Sequence, residues 1–282
     1  MDIAEVSALH AAIKQSVNFK ILELENLLNA DVVFFYGQIQ PNVITYYRML
    51  IQKLQGTEKS GRKNLAVFLN TPGGNAETVE RLSDINRYFY DEVYFVVPDQ
   101  AMSAGTVFCL SGDKIFMDYS SVLGPIDPQI YIEGKYVPIQ GYLEKINECI
   151  EKATKGELLN VVEIALLQKV DFAFWQFCQQ SSDFAKELVI KWLSNYMFKN
   201  QSDEKISVIE NIADRLNNNE IWKSHGRFIN IRTLQNLGLK IEDYTKNEKL
   251  FNAIHEYNNL LLNHIYFNNL TLGNFFNSRN YF

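Results

Sequence analysis

Leu65-Ala66-Val67-Phe68-Leu69-Asn70-Thr71-Pro72-Gly73-Gly74 runs from five consecutive apolar residues straight into a glycine turn. An unbroken apolar run of this length predicts a strand buried on both faces, and Pro-Gly-Gly predicts a sharp exit from it. The same arrangement recurs downstream. Val93-Tyr94-Phe95-Val96-Val97 is a second apolar run, and Met102-Ser103-Ala104-Gly105-Thr106 follows it as a turn of small residues opening a helix. Between the two, residues 75–89 carry a helical pattern. Strand, helix, strand, helix is the order of a parallel sheet with helical crossovers. In such sheets function gathers at the carboxyl ends of the strands, where both turns lie.

Working outward, Leu9, Ile13, Val17, Ile21, Leu24 and Leu28 recur at spacings of three and four and predict an amphipathic helix over 8–30. Residues 31–37 read as a strand, 41–55 as a helix with Pro41 near its start, 56–64 as a polar loop, 103–111 as a helix and 114–117 as a strand. After Gly124-Pro125-Ile126-Asp127-Pro128-Gln129 the pattern turns mainly helical to about residue 216. His225-Gly226-Arg227-Phe228-Ile229-Asn230 then leads to a short helix at 232–236 and to Leu237-Gly238-Leu239-Lys240-Ile241. A last amphipathic helix is predicted over 246–265. The tail beyond it is rich in Asn and aromatics (Tyr266, Phe267, Phe275, Phe276, Tyr281, Phe282), with enough apolar content to dock on a partner subunit or on its own domain. The division expected is an N-terminal helix (1–30), a catalytic domain (31–242) and a C-terminal helix with its tail (243–282). The fold class is α/β with a mainly parallel sheet and helical additions at both ends.

Composition excludes several function classes. The 282 residues are 47% hydrophobic and 21% charged, sufficient for a sizeable core. A net charge of -6 with no basic stripe argues against nucleic-acid binding. Cys109, Cys149 and Cys178 stand far apart and read as reduced interior thiols of a cytoplasmic protein. Neither a secretory signal nor a membrane-spanning run is expected, while peripheral contact with a membrane surface stays open. No His/Asp/Glu cluster has metal-ligand spacing, so no metal and no cofactor are expected. His10, His255 and His264 are read as surface or packing residues.

The two turns carry the chemistry. Serine is a weak nucleophile that needs a base within hydrogen-bond reach and donors for the developing oxyanion. Ser103, after a strand and before a helix, is placed for that role, and the N–H groups of Ala104 and Gly74 are the natural oxyanion-hole donors. Glycine suits positions 73 and 74 because a backbone that presents N–H groups to a substrate must approach it closely. Taken singly, a serine here is also a plain helix cap, and Pro-Gly-Gly a plain turn.

Three strings together, Leu69-Asn70-Thr71-Pro72-Gly73-Gly74, Ala101-Met102-Ser103-Ala104-Gly105-Thr106 and Ser121-Val122-Leu123-Gly124-Pro125-Ile126-Asp127-Pro128-Gln129, resemble the serine dehydrogenase proteinase family. That family groups with signal peptide peptidase A and the Clp proteases in the Clp/crotonase superfamily. The resemblance covers about residues 30–242, and the segment from His225 to Leu239 looks like the closing part of that fold. It implies a crotonase-like spiral of βαβ units, an ATP-independent serine peptidase with Ser103 as nucleophile, a peptide or protein substrate, and assembly into homo-oligomers.

The base is left open by the residues. Clp proteases use a His shortly after the Ser, yet Pro125 stands about where it would fall, and no His lies between His10 and His225. Signal peptide peptidase A uses a later Lys, which points to Lys155 and then Lys152, with Lys145 and Lys169 behind them; a lysine on a helix surface is otherwise simply solvated. His225 is the other option, with Asp127 or Asp171 as third members, although either aspartate reads more readily as the cap of a turn or helix. Two further readings stand beside the peptidase. One is a scaffold that keeps the fold, lacks the base and assembles through its tail. The other is an acyl-CoA enzyme with Glu77 and Asp127 as its acid/base pair.

Overall fold

In a computed structural model of the chain, residues 3–56, 62–132, 134–200, 205–270 and 273–279 are described. In chain order the first half runs α1 (Ile3–Leu28), β1 (Asp31–Tyr36), α2 (Val43–Gly56), β2 (Asn64–Asn70), α3 (Ala76–Phe89), β3 (Glu92–Val96), β4 (Gln100–Ala101), α4 (Ala104–Cys109), β5 (Lys114–Met117) and β6 (Val122–Leu123). The second half runs β7 (Gln129–Ile132), β8 (Lys135–Pro138), α5 (Gln140–Thr154), α6 (Val161–Leu167), α7 (Phe172–Asn195), α8 (Lys205–Asn217), α9 (Asn219–Trp222), β9 (Ile229–Asn230), α10 (Ile231–Asn236), β10 (Ile241–Asp243), α11 (Glu248–Phe267) and β11 (Phe275–Ser278).

Six strands form the central sheet in the order β10-β5-β3-β2-β1-β11. The first five are mutually parallel, and β11 closes the far edge antiparallel to β1. The apolar runs are continuous because both faces of the sheet are covered. Val33, Phe35, Val67, Leu69, Val93 and Phe95 point into one core, shared with α2, α3, α4, α7 and α8. Their neighbours Val32, Phe34, Ala66, Phe68, Tyr94 and Val96 point the other way, under α1 and α11. A one-residue slip would exchange the two sets, so each strand's register is fixed by packing on both sides.

The mixed α/β architecture with a mainly parallel sheet and helices at both ends matches the expectation. The two ends are more tightly engaged than a simple addition. Val17, Ile21 and Leu24 of α1 are fully buried with Ile254, Tyr257 and Leu261 of α11 over one face of the sheet. From the aromatic tail, Phe275–Ser278 is a strand of the chain's own sheet, paired from Val33 to Tyr36. This corrects the idea of an assembly tail for those four residues. Their backbone is paired within the chain, and Ser278 Oγ donates to Val32 O at 2.6 Å. Tyr281 and Phe282 lie outside the described residues, as does most of the loop expected at 56–64.

Beside the main sheet, β4, β6 and β9 form a small second sheet, with β4 and β6 parallel and β9 antiparallel to β6. These two-residue strands are too short to leave a period in the sequence. They place three segments side by side: the approach to Ser103, the approach to Gly124-Pro125-Ile126-Asp127, and the stretch just after His225. The hairpin β7–β8 leads into the helical segment α5–α7.

Candidate active site

The two sequence turns meet. Thr71 pairs with Ala101 as an isolated parallel bridge: Thr71 N–H donates to Gln100 O, and Met102 N–H to Thr71 O, both at 3.0 Å. That pairing extends past the ends of β2 and β3 and sets Gly73 against the Ser103 corner. A Cβ at Gly73 would lie 2.7 Å from Met102 O and 2.9 Å from Ser103 Cβ, and its φ of +105° suits only glycine. Gly74, at φ +150°, is pressed on Ile39, whose carbonyl a Cβ would strike. Ile39 N–H donates to Gly73 O at 2.9 Å and Asn75 N–H to Ile39 O at 2.8 Å. These two bonds straddle Gly74 and leave its own N–H unengaged among the described residues.

Ser103 precedes the first residue of α4, at φ 52° and ψ -119°. A positive φ is costly for any residue with a Cβ, of order 1–3 kcal/mol, and persists where the surroundings over-determine it. Here Thr106 does much of the fixing. Its hydroxyl lies 2.8 Å from Ala101 O and accepts from Gly124 N–H at 2.9 Å, which ties the corner to the third sequence string. The Ser103 side chain makes no capping bond to its helix. It is therefore not the plain cap of the alternative reading. Ala104 N–H, in the first turn of α4, likewise has no hydrogen-bond partner among the described residues.

Gly73, Gly74, Ser103, Ala104 and His225 line one cavity of about 980 Å³. Pro72 and Asn75 frame the amide side. Ile126, Ile130, Ile139, Phe177 and Phe184 form an apolar wall, and Glu77, Asp183 and Glu187 are the carboxylates among its lining residues, which also include the His225 imidazole. His225 Nδ1 lies 2.9 Å from Asp127 Oδ1, and Asn219 Nδ2 donates to the other carboxylate oxygen at 3.1 Å. Asp127 is fully buried, whereas His225 keeps 18% of its side chain exposed. In a neutral imidazole, a carboxylate that accepts the Nδ1 hydrogen selects the tautomer whose Nε2 carries the lone pair, the form a general base needs. Asp127 faces His225 and Asn219 rather than Glu77, so the two carboxylates do not form a facing acid/base pair of the acyl-CoA kind.

The lysines lie elsewhere. Lys155 pairs with Glu151 at 2.6 Å and is 60% exposed. Lys152 pairs with Glu163 at 2.7 Å, and that hydrogen bond raises its pKa above the usual lysine value, the direction opposite to the one a base requires. Lys145 is held by Glu148 at 2.6 Å. None of these, nor Lys169, lines the cavity. This corrects the expectation that Lys155 or Lys152 is brought to Ser103: both are engaged on the surface of the helical segment. Asp171 is a helix cap, accepting from Ala173 and Phe174 N–H. The sequence reading offered His225 with either Asp127 or Asp171, and the structure pairs it with Asp127. That pairing spans 98 positions, and no local spacing reports it. Asn219, which holds the second oxygen, was missed altogether.

Among the described residues no group of His, Cys, Asp and Glu is arranged to hold a metal ion, and no helix is long and apolar enough to cross a membrane. All three cysteines are free and buried.

Two curated proteins of Methanocaldococcus jannaschii are similar in sequence, both uncharacterized. MJ1495 is 28% identical over 156 residues, 54% of this chain and 52% of that protein. MJ0137 is 38% identical over 68 residues, 24% of either chain. The chain thus spans about half the length, or less, of the curated relatives it matches. Among solved structures, two mutants of the 1510-N membrane-bound stomatin-specific protease, one with a substrate peptide, align at a TM-score of 0.34 with 20% and 22% identity. They cover 42% of this chain and 60% and 57% of theirs. Residues 59–264, well over half of the chain, match the family described as ClpP-like SDH-type serine proteinase. That stretch holds both turns, the Ser103 corner and the His225–Asp127 pair, and the chain belongs to this family of serine peptidases.

Proposed function

We propose that the chain hydrolyses peptide bonds, without ATP, through an acyl-enzyme on Ser103, with His225 as base, Asp127 as its positioning carboxylate, and the N–H groups of Gly74 and Ala104 as the oxyanion hole. The single observation that carries this reading is the His225–Asp127 pair, whose imidazole opens onto the cavity that Ser103 shares.

The steps follow from the geometry. Ser103 Oγ adds to the scissile carbonyl carbon as its proton passes to His225 Nε2. The carbonyl oxygen, now an oxyanion, receives hydrogen bonds from Gly74 and Ala104 N–H, two donors that are already fixed and need no rearrangement. Collapse breaks the C–N bond, and His225 returns its proton to the leaving amine. Water, activated by the same imidazole, then releases the acid and restores Ser103. Asp127 orients the ring and stabilises the imidazolium.

Labelling with a fluorophosphonate tests this. Wild type should be modified on Ser103, Ser103→Ala should be silent, and His225→Ala should label slowly, while a Lys152→Ala, Lys155→Ala double variant labels at the wild-type rate. Equal labelling of Ser103→Ala would end the proposal for the nucleophile. Slow labelling of the lysine variant with normal labelling of His225→Ala would move the base to a lysine.

A further inference from the structure

The turn that carries His225 lines two hollows. His225 lines the Ser103 cavity, and two residues to either side of it Lys223 and Arg227 line a separate cleft of about 320 Å³. Two peptide units place the α-carbon of each within about 7.6 Å of that of His225. Local bonds hold this turn in shape. Trp222 Nε1–H donates to Arg215 O at 2.6 Å, which fixes the indole in the cleft wall. Lys223 follows in the left-handed region, at φ 65°, a position that ordinarily falls to Gly or Asn at a helix end. Arg227 N–H closes the turn on Ser224 O at 3.1 Å. Phe228, 63% exposed, and Ile221, 44% exposed, add to an apolar lining, and no Asp or Glu is among the residues of this cleft. The Lys223 and Arg227 side chains are exposed and unpaired among the described residues.

We propose that this cleft holds a carboxylate of the substrate peptide, on the segment that departs first, beside an apolar side chain of that segment; the assignment rests on the peptidase reading above. Direction comes from the chemistry. The acyl part of the substrate stays on Ser103, whereas His225 gives its proton to the leaving amine, so the departing segment begins at the imidazole. Extended backbone advances about 3.3 Å per residue, so roughly three to five residues past the scissile bond reach the two cations. Sign comes from the linings. The chain has a net charge of -6, and Glu77, Asp183 and Glu187 line the Ser103 cavity. A carboxylate is repelled there and drawn to Lys223 and Arg227, which orients the peptide across the site. Both cations make charge-assisted hydrogen bonds to carboxylates, and the planar fork of Arg matches the two oxygens at once. Size comes from the volume. About 320 Å³ is the lower end for small-ligand sites, room for one residue with its carboxylate. An α-carboxylate at the end of the substrate and an Asp or Glu side chain both supply this group.

Calorimetric titration of the full Ser103→Ala chain tests this without turnover. Three acetylated peptides share one sequence except at the end: Gln-Leu with a free carboxylate, Gln-Leu amide, and Glu-Leu amide. At least one of the two carboxylate peptides should bind about five- to twentyfold more tightly than the Gln-Leu amide, and which one does so identifies the source. Lys223→Gln, Arg227→Gln should bring all three within about twofold of one another. Lys249→Gln, at an exposed lysine of α11, should keep the preference. If circular dichroism shows the double variant unfolded, Lys223→Gln alone takes its place and should narrow the preference at least about twofold. Equal binding of the three peptides, or a preference that survives in the folded variant, would overturn the proposal. Turnover of the same peptides by wild type separates it from the peptidase reading. Ser103-dependent hydrolysis with equal binding would keep the peptidase and remove the cleft. A carboxylate preference in a chain that hydrolyses nothing would keep the cleft as a peptide site and remove the peptidase.

Discussion

Among the described residues two buried aspartates each lie 2.9 Å from a histidine ring, and the histidine of one pair lines the cavity that Ser103 shares. At the first, Asp127 is bound by His225 and Asn219, and the imidazole opens onto the space lined by Ser103, Gly74 and Ala104. At the second, Asp118 meets His255 Nε2, and its other oxygen accepts from the backbone and hydroxyls of Ser120 and Ser121. His255 lies against Phe251, ring centroids 4.3 Å apart, and the pair ties α11 to the end of β5. Serine, histidine and aspartate are thus present at both places. What separates them is the rest of the surroundings. At the first, a serine at positive φ makes no capping bond, and the Gly74 and Ala104 amides have no hydrogen-bond partner among the described residues. At the second, the serine hydroxyls and amides already serve the carboxylate. An Asp–His pair is an active-site component only where something is left for the imidazole to act on.

The largest expected effect tests that difference directly. Ser103→Ala should lower peptidase kcat by about 10³-fold or more, while Ser121→Ala changes it little; steady-state hydrolysis of a fluorogenic peptide reads both. Should Ser121→Ala abolish turnover in folded protein, the two pairs would have to exchange roles. Next in size, Asp127→Asn should cost on the order of 10²–10⁴ in kcat, with substrate binding retained, because the ring loses the carboxylate that fixes its tautomer and stabilises its charged form. Asn219→Ala should reproduce a smaller part of that loss. Asp118→Asn should leave kcat within about twofold of wild type. If the Asp118 change proved as damaging to kcat as the Asp127 change, position in the fold would cease to distinguish the pairs.

The second pair should instead appear in stability. Burial pushes the Asp118 carboxyl up, but the hydrogen bonds from Ser120 and its neighbours outweigh it and hold the pKa below the usual carboxylate value. A group depressed in the folded state contributes stability above its unfolded pKa, about 3.9 for Asp, and loses it as pH falls through the folded value. Urea unfolding of wild type should therefore weaken steadily below about pH 4, and the Asp118→Asn profile should be flatter there, with roughly 1–3 kcal/mol less stability at neutral pH. Parallel profiles for the two proteins would remove Asp118 from the acid response.

How far the sequence disclosed all this follows from range. Where a feature is local, it was legible. The unbroken runs at 65–69 and 93–97 read as doubly buried strands, and the glycine and serine turns read as lying at their ends. Thr106, within the Ser-Ala-Gly-Thr string, could have been recognised as the residue that locks the corner. What depends on distant partners was not legible. The strands β4, β6 and β9 are two residues long and exist through pairing alone. Strand β11 lies in an Asn-rich aromatic tail and becomes a sheet edge only beside β1. His225 meets its partner across 98 positions and Lys152 across 11, and periodicity can report neither contact. Helix α6 is the converse case: its apolar sequence reads as core, and its side chains face outward.

The smallest effect concerns the approach to the site. Glu77, Asp183 and Glu187 line the cavity mouth, and no Lys or Arg is among the lining residues. Clefts lined by one sign of charge concentrate ligands of the other sign, and for exposed groups the gain is modest and screened by salt. A peptide with lysine two or three residues from the scissile bond should be cleaved a few-fold faster at low ionic strength than its glutamate counterpart. The gap should narrow as salt is added, and Glu187→Gln should narrow it further. The change should fall on kcat/KM rather than kcat, since the carboxylates act on encounter and binding and not on the reacting atoms. Equal kcat/KM for the two peptides at low salt would detach these carboxylates from substrate choice. The Ser103, His225 and Asp127 assignments would be left as they are, because none of them draws on the sign of the cavity's charge.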